Sequence, residues 1–276
     1  EMNESMGLVY AIANQKGGVG KTTTVVNLAA YFGARGKRVL CIDIDPQGNT
    51  TTGLGIKKRS LTASSYHVLN GSAKISDVIQ QTEYENVSIV PARDELAGCE
   101  LELSQMEYRA TRLRMQLLTC KADYDYIFID CPPALGLLTL NGLAAADEII
   151  VPMTAEFYAL EGLSQLMTTM KAVRANLNPS LKIAGILFVM FDPRLNVSRQ
   201  VEEEVAKYFP NQIFRTKIPR NVRLSEAPSY GKPVMYYDKN SKGAEAYAEL
   251  GMELLGETPP TKEKKRFQLF HRKNKN

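Results

Sequence analysis

The stretch "ANQKGGVGKTTTVVNLAAYF", residues 13–32, decides how the rest of the chain is read. It follows the apolar run LVYAIA (8–13) and runs into a helical pattern from Lys21 onward. It nearly spells the phosphate-binding loop G-x-x-x-x-G-K-[ST], in which backbone amides cradle phosphates, a lysine reaches the terminal ones and a hydroxyl meets Mg2+. Gly20, Lys21 and Thr22 stand where the pattern requires them. Its opening glycine is replaced by Gln15, and a second lysine, Lys16, stands beside it. Gly17, Gly18 and Gly20 let backbone approach phosphate closely, and the helix beginning near Lys21 aims its N-terminus at the same point.

Two more motifs end apolar runs. In "CIDIDPQGN" (41–49), Asp43 and Asp45 are two residues apart and point the same way along an extended chain. One can hold a Mg2+ shell while the other positions an attacking water; Pro46-Gln47-Gly48 then turns the chain. In "IFIDCPPAL" (127–135), a strand ends in Asp130, the Walker-B position that orients magnesium's water, and two prolines stop the strand.

Strands are expected at 8–13, 38–43, 87–91, 125–130, 147–152 and 183–190, with helices near 21–35, 94–120, 137–145, 160–176, 197–209 and 241–255. Several strands are apolar almost throughout, as strands covered on both faces must be. The alternation predicts an α/β fold, a doubly wound, mostly parallel sheet flanked by helices, with ligands outside the carboxyl ends of the strands. The 276 residues suit one large α/β domain or two small ones. The expected division is an extension at 1–6, a P-loop ATPase domain over 7–256 and a basic, disordered tail at 257–276.

The composition, 44% hydrophobic and 23% charged, is that of a soluble globular protein. No apolar run approaches the roughly 18 to 20 residues of a spanning helix, and no signal peptide is read; the cysteine usage suits a reducing cytoplasm, the expected setting. Cys41, Cys99, Cys120 and Cys131 show no C-x-x-C spacing, which argues against zinc. The net charge of +4 hides an asymmetry: residues 262–276 carry seven Lys/Arg against one Glu, leaving the remainder slightly acidic.

Taken together and in order, "KGGVGKTT", "DIDPQGN", "DCPP" and "IPRNVRLSEAPSYGKPV" (218–234) resemble the ParA/Soj-type partition ATPases, the deviant-Walker-A group of P-loop NTPases. The likeness runs from about residue 7 to residue 255. It implies an ATP-dependent homodimer with two nucleotides sandwiched between subunits. In that arrangement Lys16 reaches the partner's phosphates, much as an arginine finger supplied in trans. Gly17 would lie where the two backbones approach. The resemblance makes Lys16, Lys21 and Asp45 catalytic. It assigns ATP binding to Lys16, Gly17, Gly18, Val19, Gly20, Lys21, Thr22 and Thr23, with Pro219, Asn221 and Glu226 bordering the adenine and the dimer face. Thr22, Asp43 and Asp130 would serve Mg2+.

The segment 192–243 carries a net +4. The resemblance implies that it binds DNA without sequence preference in the ATP dimer, through Arg194, Arg199, Arg220, Arg223, Lys239 and Lys242. It also implies nucleoid association and a ParB-type stimulator of slow hydrolysis. Two rivals stand beside this reading. In MinD-like relatives a C-terminal amphipathic helix holds a membrane; here Phe267, Leu269 and Phe270 lie among cations without a helical stripe, so no membrane partner is expected. In the iron protein of the wider group, subunits share a cluster through cysteines, for which Cys99 and Cys131 are the candidates.

Overall fold

Side chains alternate across the central strands, and both sets are apolar. Val9 and Ala11 face one core while Tyr10 and Ile12 face the other. Such strands belong inside a sheet covered on both sides. The computed structural model, which describes residues 7–258, has this form.

Its strands are β1 (Leu8–Ile12), β2 (Val39–Asp43), β3 (Gln80–Gln81), β4 (Val87–Val90), β5 (Tyr126–Asp130), β6 (Glu148–Thr154) and β7 (Lys182–Val189). They form one sheet in the order β3-β4-β2-β5-β1-β6-β7. All pairings are parallel except that of β3, a short antiparallel edge. The fold is the doubly wound α/β arrangement the sequence predicts.

Around the sheet lie α1 (Lys21–Ala34), α2 (Asn49–Gly53), α3 (Ser65–Asn70), α4 (Ile75–Val78), α5 (Cys99–Ser104), α6 (Arg112–Leu117) and α7 (Leu137–Ala145). They are followed by α8 (Ala159–Asn176), α9 (Asn196–Tyr208), α10 (Val222–Glu226), α11 (Val234–Tyr237) and α12 (Lys242–Leu254). One face of the sheet is closed by α1 and α12 through Leu28, Phe32, Tyr247 and Leu250. The other is closed by residues such as Leu143, Leu166 and Val201 of α7, α8 and α9.

The single helix expected over 94–120 is broken. Tyr108 adopts a left-handed backbone at φ 54°, which ends helical continuity. Asn141 of α7 holds the break: its amide donates to the Arg109 carbonyl at 2.7 Å and its oxygen accepts from the Leu113 amide at 3.1 Å. β3 was not expected, because two polar glutamines at an edge carry no hydrophobic period.

Register positions the site. Parallel pairing sets Ile12 of β1 and Asp43 of β2 beside Asp130 of β5, so three strand ends meet at one level. Of the expected tail over 257–276, Glu257 and Thr258 are described, Glu257 pairing with Arg35 at 2.7 Å; residues 259–276 and the expected extension at 1–6 lie outside the described residues.

Candidate functional site

A cavity of about 680 Å3 opens at these strand ends. Its phosphate side is lined by Gly17, Gly18, Gly20, Lys21, Thr22 and Thr23. Gly18 and Gly20 adopt left-handed backbone at φ 72° and 78°, which a side chain would strain. Gly20 leads into α1, whose first turn has neither a side-chain cap nor an acidic residue. The free amides and the dipole of that turn make an anion site.

Lys21 is 6% exposed, and its ammonium donates to the Lys16 carbonyl at 2.8 Å. Burial lowers its pKa, opposed by the nearby Asp130, Cys131 and Asp45. A buried ammonium on a single carbonyl is short of partners; terminal phosphates would supply them.

Asp130 is fully buried. One of its oxygens accepts from Thr22 Oγ1 at 2.7 Å and from Thr50 Oγ1 at 2.8 Å. The other oxygen is buried with no hydrogen-bond partner. A hydroxyl next to a carboxylate with a spare buried oxygen fits a hard cation that keeps its own waters. Among the described residues no three His, Cys, Asp or Glu converge as a metal cage, so Mg2+ here would draw on nucleotide oxygens and water as well.

Asp43 and Asp45 do not share a role. Asp45 is 7% exposed and lines the cavity; one of its oxygens accepts the Gln47 amide at 3.0 Å, holding the turn after β2. Asp43 is fully buried and does not line it. Its Oδ2 accepts from the Thr51 amide at 2.9 Å and the Thr51 hydroxyl at 2.7 Å, and its Oδ1 from the Asp45 amide at 3.2 Å. Both oxygens of Asp43 thus accept hydrogen bonds inside the fold, which ties the residue to the Asp45 loop and α2. Burial, reinforced by mutual repulsion, raises the pKa of Asp43; burial likewise raises that of Asp130.

Pro219 and Asn221 also line the cavity. Glu226 does not; it pairs with Arg223 at 2.8 Å and accepts from the Tyr237 hydroxyl at 3.1 Å. Val19 is buried and does not line the cavity. Sequence reasoning missed Gln47, Asn49, Val189, Met190, Ile218 and Tyr247 as lining residues. One signal in that set is structural: Met190, at the end of β7, holds a left-handed backbone at φ 49°, a strain that gathers at functional sites.

Lys16 stands apart from its own cavity. It lines a neighbouring recess of about 310 Å3, and its ammonium donates to Glu156 at 2.8 Å. Gly17 has open space where a Cβ would sit, the nearest atom being Pro133 Cβ at 3.9 Å.

The six expected DNA-binding cations do not form one kind of surface. Arg194 is exposed but paired with Asp192, and Arg223 with Glu226 and Asp238. Arg199 bonds the Asn196 side chain at 2.6 Å. Lys239 and Lys242 are exposed. Arg220 is exposed as well, and it also lines the cavity beside Pro219 and Asn221.

Comparison with known proteins accords with this geometry. A family model described as an AAA domain matches residues 7–183. The chain is 53% identical over 249 residues to the sporulation initiation inhibitor protein Soj of Bacillus subtilis, covering 90% of this chain and 98% of that protein. It is 50% identical over 262 residues to the chromosome partitioning protein ParA of Myxococcus xanthus, covering 95% and 93% respectively. Among solved structures, cobyrinic acid a,c-diamide synthase from Mycobacterium smegmatis with bound ADP and magnesium is similar at a TM-score of 0.79 and 39% identity, over 91% of this chain and 94% of that chain.

Proposed function

The chain belongs to the Soj/ParA family of chromosome-partitioning P-loop ATPases, and from that premise we propose that it works as an ATP-dependent sandwich dimer on DNA. Hydrolysis would be slow until a ParB-type partner stimulates it. The cargo is a chromosome or plasmid, and the setting the cytoplasm at the nucleoid. Among the described residues no helix is long and apolar enough to cross a membrane.

Each residue then has a separable task. Lys21 and the amides of the first turn of α1 hold the terminal phosphates of the subunit's own ATP. Thr22 and Asp130 would hold Mg2+, which neutralises charge on the phosphates when bound. Asp45, on the cavity wall, orients the attacking water, while Asp43 holds the Asp45 loop in place. Lys16 arrives from the facing subunit and neutralises charge that develops on the transferred group.

The observation that carries this reading is the position of Lys16. Its ammonium lies outside its own cleft, whereas that of Lys21 lies inside. The open space at Gly17 supports the same arrangement, since a close neighbour there must come from another molecule. Exposed Arg194, Arg199, Arg223, Lys239 and Lys242 supply phosphate contacts that ignore sequence.

The MinD-like membrane reading is less favoured, because relatives at about half identity are partition proteins. A synthase reading would need amide-transfer chemistry. All four cysteines are buried, and burial pushes their thiols up, so none is poised as a nucleophile. The same burial argues against Cys99 and Cys131 reaching across an interface to a shared cluster.

Mixing two inactive variants tests the trans lysine. Lys16→Gln and Asp45→Ala should each fail to hydrolyse ATP alone. A mixed dimer has one site with intact Asp45 and an intact Lys16 from the other subunit, so ATPase should reappear on mixing. Background activity with mixed dimers shown to be present would retire the proposal.

A further inference from the structure

The lead into the phosphate loop is pinned to the region around the β6–α8 connection at three points. Asn14 Nδ2 donates to the Pro152 carbonyl at 2.8 Å, in a buried bond. Gln15 Nε2 donates to Gln165 Oε1 on α8. Lys16 Nζ donates to Glu156 Oε2 at 2.8 Å, with the two side chains 41% and 55% exposed. The Lys16 backbone is held separately, its amide donating to Asn14 Oδ1 at 3.0 Å.

These bonds differ in what they restrain. Asn14 and Gln15 fix the path of the loop arm, whereas Glu156 holds only the ammonium at the end of a flexible stem. The ammonium can therefore leave without moving the arm. One ammonium cannot serve this carboxylate and the triphosphate on a facing subunit at full strength, because the two anions compete for the same three donors. We infer that Glu156 is a positioning residue that parks Lys16 on its own subunit, so that sandwich assembly exchanges this carboxylate for the facing nucleotide's phosphates. The inference rests on the proposed trans role of Lys16.

A second cation makes the exchange tolerable. Arg220 lines the adjoining cavity, and Glu156 is held below its ordinary pKa by Lys16 first, against burial, and then by Thr154 and the charge of Arg220. When Lys16 leaves, Glu156 keeps a cation nearby and is not stranded. Both partners of the pair are partly exposed, so solvent screens the attraction and the barrier to exchange is modest. Glu156 thus sets a threshold for assembly and does not forbid it.

The test uses the full chain with Mg2+ and a non-hydrolysable ATP analogue, which isolates assembly from turnover. Sedimentation should show Glu156→Gln reaching half-dimer at a protein concentration two- to five-fold below that of the unaltered chain (about 0.4–1 kcal/mol, at roughly 1.4 kcal/mol per tenfold). Affinity for the analogue, measured at dilution where all chains are monomeric, should not change; a merely structural role would weaken both readouts. If Glu156→Gln loses thermal stability, Glu156→Asp carries the test, since a shorter carboxylate loosens the pair in the same direction. An unchanged or weaker dimer overturns the inference. If the Lys16→Gln and Asp45→Ala mixture regains ATPase while Glu156→Gln fails to tighten the dimer, the parking role falls and the trans lysine stands. If the mixture stays silent with mixed dimers present, both fall.

Discussion

The cleft at the ends of β1, β2 and β5 and the basic segment over 192–243 both bring charges together, yet they handle them in opposite ways. In the cleft, Lys21 and Asp130 are buried and only partly satisfied: one ammonium on a single carbonyl, and one carboxylate oxygen with no partner. Over 192–243, Arg194, Arg223 and Lys217 are exposed or half-exposed and already paired with acids of the same subunit. A buried, under-satisfied charge costs free energy unless a ligand completes it. An exposed pair costs little either way and is compatible with many partners or none. The first region therefore announces its ligand, and the second does not.

The largest expected effect breaks the cleft. Lys21→Ala should weaken binding of a fluorescent ATP analogue by at least about 30-fold, since removing one partner of a buried charged pair costs about 2–5 kcal/mol. Near-normal affinity would mean that the amides of α1 suffice, and that the cleft depends on its buried charge no more than the basic segment does.

Gly17→Ala sharpens the comparison. Within the subunit a Cβ at Gly17 meets nothing closer than 3.9 Å, so the melting temperature and monomer ATP affinity should hold. The ATP dimer should weaken by about fivefold or more, as overpacking at a close approach costs about 1–3 kcal/mol. Light scattering that shows a normal dimer would place the interface elsewhere.

Replacing Arg194, Arg199 and Arg223 together by Ala tests the other region. DNA affinity should fall for all sequences alike, and the slope of log affinity against log salt should drop by up to about 0.9 for each phosphate no longer neutralised. ATP-driven dimerisation should be spared. Arg220 is best kept out of this set, because it lines the cavity and its removal would disturb nucleotide and DNA together.

The smallest effect concerns Asp43 and Asp130. Burial raises both pKa values, so the native state holds protons that the unfolded chain has already released. The nucleotide-free protein should lose stability as pH rises from the ordinary carboxylate range through about 6 for Asp130 and about 8 for Asp43, and level off above those values. Asp43→Asn should flatten that slope by about 1 kcal/mol or more, one pKa unit being about 1.36 kcal/mol. Urea unfolding at several pH values measures it. An unchanged slope would mean that Asp43 is ionised at all these pH values and that its bonds to Thr51 outweigh burial.

Legibility followed locality. The phosphate loop was readable because its chemistry is contained in eight successive residues, and β1, β2 and β5 because burial on both faces leaves a continuous apolar run. Spacing alone could not tell Asp43 from Asp45, since it puts them on one side of a strand; the resemblance gave them different tasks, and Thr51, eight residues on, shows that Asp43 already accepts bonds inside the fold. Arg220 and Arg223 lie three residues apart in one basic motif, yet one borders the cavity and the other is held by Glu226 and Asp238.

By itself, then, the sequence determined that this chain is a doubly wound α/β protein with a nucleotide loop after its first strand, a second lysine in that loop and an acid at the end of each of two later strands. Those features are set by local backbone requirements and hydrophobic period, which act over a few residues. The tertiary structure alone decided which carboxylate faces the cleft, that Asp130 has an oxygen to spare, and that Lys16 rests on Glu156, 140 residues away, outside its own site. Partners so distant in the chain are chosen by the crossover order and register of the sheet, and no short-range pattern encodes that choice.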